Sequence, residues 1–198
     1  MIRWQYHHTG NTKVGKGMKR WMLLLMLVMT ACSGGEETLN PINDELRVAA
    51  YERISENLQN NNGMTKERAE KEAFDHLVQR VAVVNRAQEV GIEVTEEEAM
   101  KMSNNVRSKL ENGKIDNAEP TWKDIRNTME AENLTETEYW EEYAKNGYKE
   151  TLMIDKLKTY EEENALKPWS VRKKEIVKAF KSNESGRIES FREKVGLQ

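Results

Sequence analysis

The feature that most constrains the fold is a helical period in the apolar residues. Between Thr65 and Gly91 they recur every three or four positions, as on one face of an α-helix. Gly91 follows the last of them, and glycine tolerates the left-handed conformation that often ends a helix. The apolar stripe consists of Ala69, Ala73, Leu77, Val81, Val84 and Ala87, with Phe74 and Val78 beside it. This pattern predicts a long helix that is buried along one side.

The same period continues on both sides of this helix. It predicts helices over 43–60, 65–90, 95–111, 121–132 and 136–164, followed by shorter ones over 170–181 and 187–195. Two of the predicted helices begin with a capping box, Thr95 with Glu98 and Thr135 with Glu138. No segment alternates with a period of two. The predicted fold class is therefore all-α, with a domain of about five helices over 43–165 and a C-terminal helical segment over 166–198.

The first 31 residues are a different kind of sequence. They contain five basic residues and no acidic one, and Lys19 and Arg20 come directly before an apolar run over 21–31. A basic start followed by a short apolar core is typical of a secretory signal peptide. The run has 11 residues, whereas a membrane-spanning helix needs about 20. We therefore predict a signal peptide over 1–31.

Residues 1–17 match no targeting pattern. Met18-Lys19-Arg20 would be an ordinary start for a signal peptide. Two interpretations remain: either Met18 is the true initiator and 1–17 come from an over-long gene prediction, or the signal peptide has a long basic region. Both leave this segment outside the fold.

The one cysteine of the chain follows the apolar run directly. Met29-Thr30-Ala31-Cys32 resembles the lipobox of bacterial lipoproteins, although the family usually has leucine where Met29 stands. The resemblance implies that Cys32 is acylated and becomes the first residue of the exported chain. We therefore predict that residues 32–42 consist of the lipidated cysteine and a flexible polar tether. The alternative is a free cysteine after an ordinary export signal.

Removal of the signal peptide changes the charge of the chain. The full chain has 31 basic and 34 acidic residues, for a net charge of −3. Five basic residues leave with residues 1–31, so the mature chain has 26 basic and 34 acidic residues and a charge of −8. This charge argues against a nucleic-acid partner and predicts repulsion from anionic lipid. Lipid on Cys32 would then be the anchor, on the extracytoplasmic side of the cell membrane.

Few residues suggest catalysis. His76 is the one histidine after residue 31, and its neighbour Asp75 would point about 100° away from it on a helix. Two glutamate runs, 96–98 and 161–163, could be acid–base pairs or cation ligands, but helix capping and a solvated helix face explain them better. We therefore predict no catalytic residue, no cofactor and no metal site. Three aromatic residues are candidates for contact with a bound peptide or for an ordinary helical core: Trp122, Trp140 and Tyr143.

The order of the capping signals resembles the N-terminal chaperone domain of SurA- and PrsA-type foldases. The matching stretches are 65–69, Gly91-Ile92-Glu93-Val94-Thr95-Glu96-Glu97-Glu98, Leu134-Thr135-Glu136-Thr137-Glu138-Tyr139 and 152–157. The resemblance covers about residues 44–157. It implies a helical bundle that binds unfolded or extended polypeptide segments without ATP.

The chain departs from that family at its C-terminal end. Many of these foldases carry a parvulin prolyl isomerase domain after the long helix, and only 33 residues, 166–198, remain here. They are too few for such a domain and have a helical pattern. We therefore expect no prolyl isomerase activity, and we expect the C-terminal segment to pack back on the helical domain.

Three functions are compatible with the sequence. The leading one is a lipid-anchored chaperone of secreted proteins. The second is an adaptor or structural lipoprotein that uses the same helices to hold one specific envelope partner. The third is a prolyl isomerase. The sequence does not indicate the clients or the oligomeric state.

Overall fold

The computed structural model describes residues 38–60, 62–116, 118–165 and 167–197, and this part of the chain folds as seven helices with no strand. The all-α prediction is confirmed. The first four helices are α1 (Val48–Asn60), α2 (Lys66–Glu89), α3 (Glu96–Glu111) and α4 (Ala118–Ala131). Helix α5 covers 136–165 in three continuous segments, Glu136–Glu138, a π-helical turn at Tyr139–Tyr143 and Ala144–Ala165. The last two are α6 (Trp169–Asn183) and α7 (Ser185–Lys194).

Helix α2 is the centre of the structure. It packs against α1, α5 and α6, and four consecutive residues in its second half, 81–84, are buried. A helix with only one buried stripe would expose some of these four, so α2 is enclosed on more than one side. All six residues of the predicted stripe are fully buried (Ala69, Ala73, Leu77, Val81, Val84 and Ala87).

The predicted end of α2 is confirmed. Gly91 has a φ of +73°, in the left-handed region. The N–H of Ile92 donates to the carbonyl oxygen of Ala87 at 2.9 Å, and Ile92 packs with the same apolar cluster as Ala87. This six-to-one hydrogen bond with its apolar contact turns the chain toward α3.

Both predicted capping boxes form. The Thr95 hydroxyl accepts from the N–H of Glu98, and the Glu98 carboxylate accepts from the N–H of Thr95 at 2.9 Å. Thr135 and Glu138 repeat this arrangement at the start of α5. These caps fix where α3 and α5 begin, and the two helices pack against each other.

Helix α4 begins at Ala118, three residues before the predicted start at Thr121. Pro120 therefore lies inside the first turn. Proline fits there because the N–H groups of the first turn have no partner within the helix. The predicted start at Thr121, directly after the proline, was therefore wrong.

Helices α6 and α7 pack back on the rest of the bundle. Ile188 and Phe191 of α7 join the apolar cluster formed by α1 and α2, and the Phe191 ring stacks on Phe74 with centroids 5.9 Å apart. The predicted break at 183–186 is narrower than expected, since Glu184 alone separates the two helices. Hydrogen bonds continue on both sides of it, because its N–H donates to Phe180 and its carbonyl accepts from Ile188.

Candidate functional site

A groove of about 690 Å³ separates α1 from α4. Its floor includes Arg80 and His76 of α2, and Tyr143 of α5 contributes to its wall. Helix α4 makes few close backbone approaches to the other helices and is held through side chains of a small cluster. The open space follows from this weak attachment.

The lining of the groove has mixed chemistry. Ile54 and Leu58 of α1 and Ala131 of α4 supply apolar surface. Asn57 and Asn127 also line the groove and are exposed, and their side-chain amides make no hydrogen bond in the described part of the chain. A surface with both apolar area and free amide groups can contact the side chains and the backbone of an extended polypeptide.

Tyr143 is held in place from two sides. The Arg53 guanidinium lies over its ring, 5.5 Å from the centroid, and its Nη1 donates to the Tyr143 hydroxyl at 3.2 Å. The Asn40 side-chain amide donates to the Tyr143 carbonyl at 2.9 Å. Burial raises the pKa of the Tyr143 hydroxyl, and the positive charge of Arg53 opposes this increase. Tyr143 therefore stays a neutral phenol in the groove wall at ordinary pH.

The π-helical turn at Tyr139–Tyr143 sets the direction of three aromatic rings. Tyr139 stacks on Tyr143 with centroids 5.6 Å apart and meets Trp140 edge-on at 5.1 Å. The buried Ser103 hydroxyl of α3 donates to the Trp140 carbonyl at 2.8 Å. A π-helical turn contains one residue more than a regular helical turn, so it interrupts the regular backbone hydrogen bonds. The Ser103 hydroxyl supplies a donor to the backbone within this turn. The apolar period of the sequence contained no signal for this turn.

The three predicted aromatic contact residues lie in different environments. Tyr143 faces the groove. Trp140 is 1% exposed and belongs to the cluster that joins α3, α4 and α5. Trp122 of α4 packs edge-on against Trp140 with centroids 6.2 Å apart. Only Tyr143 is thus positioned to touch a ligand in this conformation, while the two tryptophans attach α4 to the bundle.

His76 and Asp75 do not form a pair. His76 is exposed at the groove, and the Asp75 carboxylate accepts from Lys181 of α6 at 3.2 Å. In the described part of the chain, no three His, Cys, Asp or Glu side chains are grouped closely enough to hold a metal ion.

A buried glutamate of α5 holds the segment that precedes α1. The Glu150 side chain is 2% exposed and accepts from Arg80 Nε at 2.6 Å. It also accepts from the backbone N–H of Asn43 at 3.1 Å and from its side-chain amide at 2.8 Å. The Asn146 amide of α5 donates to the Leu39 carbonyl at 2.8 Å. Leu39, inside the predicted tether over 32–42, is therefore bound to α5.

The interpretation of the second glutamate run as a solvated helix face was wrong for Glu161, which is buried. Its side chain is 2% exposed and accepts from Arg86 Nε at 2.8 Å and from Arg172 Nη2 at 2.7 Å. Burial alone raises the pKa of Glu161, but the hydrogen bonds from Arg86 and Arg172 outweigh burial and hold that pKa below its ordinary value. Arg86 and Arg172 line a second cavity, of about 560 Å³, between α2 and the C-terminal helices. Glu161 therefore joins α2, α5 and α6.

The first glutamate run has the capping and surface roles that were predicted for it. Glu98 closes the capping box and also accepts from Lys156 at 2.7 Å. Glu96 pairs with Lys149 and, at 2.9 Å, with Lys145. Hydrogen bonds from these two lysines lower the pKa of Glu96 from 4.5 to about 2. The run therefore binds α3 to α5 electrostatically.

Comparison with known proteins identifies a relative, and the match covers nearly all of that relative's length. The glutamate-rich protein GrpA of Alkalihalophilus pseudofirmus is 37% identical over 158 residues, which are 79% of this chain and 99% of that protein. The chain belongs to the GrpA family. The name GrpA refers to composition and states no activity, ligand or partner. No family model and no solved structure matches the chain.

The predicted signal peptide and Cys32 lie outside the described residues. Within the described residues of this GrpA-family chain, no helix is both long and apolar enough to cross a membrane.

Proposed function

We propose that this protein is a lipoprotein, anchored to the extracytoplasmic face of the cell membrane through lipid on Cys32, that binds unfolded or extended segments of secreted proteins without ATP. The proposal includes a SurA- or PrsA-like helical domain that has no isomerase activity. The observation that carries it is the open groove between α1 and α4, whose lining combines apolar side chains with free amides. A bundle closed on all sides would instead favour an adaptor with one specific partner.

The mode of binding follows from the groove lining. Ile54, Leu58 and Ala131 would cover apolar side chains of the client, and Asn57 and Asn127 would bond to its backbone. An open groove of this kind gives many weak contacts, so a client dissociates without an energy source. No residue of the groove needs to change protonation state for this cycle.

The first experiment measures the aggregation of an unfolded client protein with and without equimolar protein. The expected result is suppression of light scattering. Asn127→Trp fills the groove and should weaken suppression about tenfold or more in terms of the concentration required. Glu130→Trp introduces the same side chain at an exposed position of α4 that does not line the groove, and it should behave as the wild type. No suppression by the wild type would favour the adaptor.

Two further measurements address the anchor and the enzyme. Cys32→Ala should release the protein from membranes and abolish incorporation of a labelled fatty acid; retention on membranes would contradict lipidation at this residue. In a refolding assay limited by proline isomerisation, the wild type should leave the slow phase unchanged. Clear acceleration of that phase would favour the isomerase.

A further inference from the structure

The charge of the predicted mature chain, 32–198, is distributed unevenly along the sequence. Residues 167–198 contain nine basic and four acidic residues, a net charge of +5. Residues 32–166 contain 17 basic and 30 acidic residues, a net charge of −13. The net charge of −8 therefore conceals a basic C-terminal segment, 167–198, next to an acidic body. Repulsion from anionic lipid, predicted from that net charge, applies to the body and not to the C-terminal segment.

Several lysines of α6 are not used in ion pairs. Lys167 pairs with Glu175, and Lys181 pairs with Asp75. Lys173, Lys174 and Lys178 have no acidic partner among the described residues. Lys174 and Lys178 are exposed and lie four residues apart, so both lie on the same face of α6.

The exposed apolar side chains lie at the corner where α6 begins. Among the described residues, two large hydrophobic side chains are exposed, Tyr160 at 36% and Val171 at 43%. They stand on either side of the corner between α5 and α6. Val171 lies three residues before Lys174, on the same face of the helix. Apolar side chains next to unpaired lysines are the combination found where a helix lies on an anionic membrane.

We propose that this corner, defined by Tyr160, Val171, Lys174 and Lys178, is a surface that binds anionic phospholipid. The lysines would pair with lipid phosphates, and Tyr160 and Val171 would enter the headgroup region. The inference rests on the proposed anchoring for its biological setting. Six residues separate Cys32 from Leu39, so the chain between them spans at most about 25 Å. A domain held that close to the bilayer would be oriented by its basic C-terminal segment, with the acidic body directed away.

The first test places a fluorescent probe at the corner. The full chain with Cys32→Ala and Val171→Cys has a single thiol, which is labelled with an environment-sensitive dye. Vesicles of phosphatidylcholine with about 30% phosphatidylglycerol should shift its emission to the blue and raise its intensity about twofold. Vesicles of pure phosphatidylcholine should not. The matched control carries the probe at exposed Asn104 of α3 (Cys32→Ala, Asn104→Cys) and should not respond to either vesicle.

The second test reverses the charges. Lys174→Glu and Lys178→Glu together, in the Cys32→Ala, Val171→Cys chain, should weaken the probe response to phosphatidylglycerol about tenfold or more in lipid concentration. The control pair, Lys101→Glu and Lys109→Glu, changes the net charge equally at exposed lysines that have no ion pair among the described residues. It should change the response less than about twofold. Added NaCl should weaken the response of the Cys32→Ala, Val171→Cys chain that keeps its lysines, because these charges are exposed.

Each other outcome overturns the inference. No response at position 171, or an equal response at 104, would show that the corner does not contact lipid. A response at 171 that grows with protein concentration in the absence of vesicles would identify a second copy of this chain as the occupant. Neither outcome bears on lipidation, because Cys32 is absent from every variant. If the double reversal unfolds, as circular dichroism would reveal, the pair of probe positions still decides the question.

Discussion

The two sides of the bundle are built differently. Around α2, residues 81–84 are all buried, and the buried Glu161 joins three helices through its hydrogen bonds to Arg86 and Arg172. Helix α4 has one buried residue, Ile125, and reaches the bundle through a small aromatic cluster. A densely packed scaffold thus carries a helix that costs little to displace, and the groove lies between them. In proteins that bind varied ligands, the regions that change conformation are the least stable ones.

The largest expected effect compares one truncation on each side. Leu77→Ala removes a fully buried side chain at the centre and should lower the free energy of unfolding by about 3–4 kcal/mol. Ile125→Ala should cost about 2 kcal/mol, because α4 can move inward to close the cavity. Urea unfolding measures both. Equal losses would show that α4 is as firmly integrated as α2.

The second prediction concerns the buried carboxylate. Glu161→Ala leaves Arg86 and Arg172 without their shared partner and should lower the free energy of unfolding by about 3 kcal/mol. Glu163→Ala, two residues further on and exposed, should change it by less than about 0.5 kcal/mol. Thermal unfolding followed by circular dichroism compares the two variants. A small effect of Glu161→Ala would mean that apolar packing alone joins α2, α5 and α6.

The third prediction addresses the π-turn. Ser103→Ala removes the donor to the Trp140 carbonyl and should cost about 1–2 kcal/mol. It should also increase hydrogen exchange at 139–144 without changing exchange in α2. Ser182→Ala, at an exposed serine of α6 with no hydrogen bond in the described chain, is the control. Unchanged exchange at 139–144 would argue that the turn is fixed by aromatic packing.

The smallest expected effect is the pH dependence of Glu96. Its folded-state pKa is lowered from 4.5 to about 2 by its two lysine partners. The carboxylate therefore stabilises the fold above about pH 4.5, and this contribution is lost as the pH falls toward 2. Because the side chain is 60% exposed, the contribution should be below about 1 kcal/mol. Glu96→Gln should be less stable than the wild type at pH 7 and equal to it near pH 2, as measured by urea unfolding.

The sequence predicted helices best where local signals agreed with the apolar period. Thr95 and Thr135 cap their helices through residues three positions away, and Gly91 ends α2 through its own backbone freedom. These interactions are complete within one turn, so the sequence alone contains them. Boundaries near Pro120 and Glu184 were less well predicted, because proline is compatible with a first turn and a single residue can separate two helices.

The features that the sequence did not predict depend on distant partners. Glu161 is the same residue type as its exposed neighbours Glu162 and Glu163, although it lies four residues after the buried Leu157 on the same face of α5. The distant residues Arg86 and Arg172 supply the partners that this buried carboxylate needs. Glu150 likewise depends on Asn43 and Arg80. The groove depends on how closely α4 approaches α1, which no local pattern specifies. A buried charge can be recognised from sequence only when its partners lie within a turn or two of it.

The hydrogen bonds of the short segment before α1 affect the order in which parts of the protein fold. Leu39, Asn40 and Asn43 bond to residues 103–107 positions later in the chain. At a synthesis rate of about 5–20 residues per second, their partners are made about 5–20 s afterwards. These residues, although synthesised early, are therefore among the last to find their partners. During that interval α1 and α2 can pair while their N-terminal connection remains open.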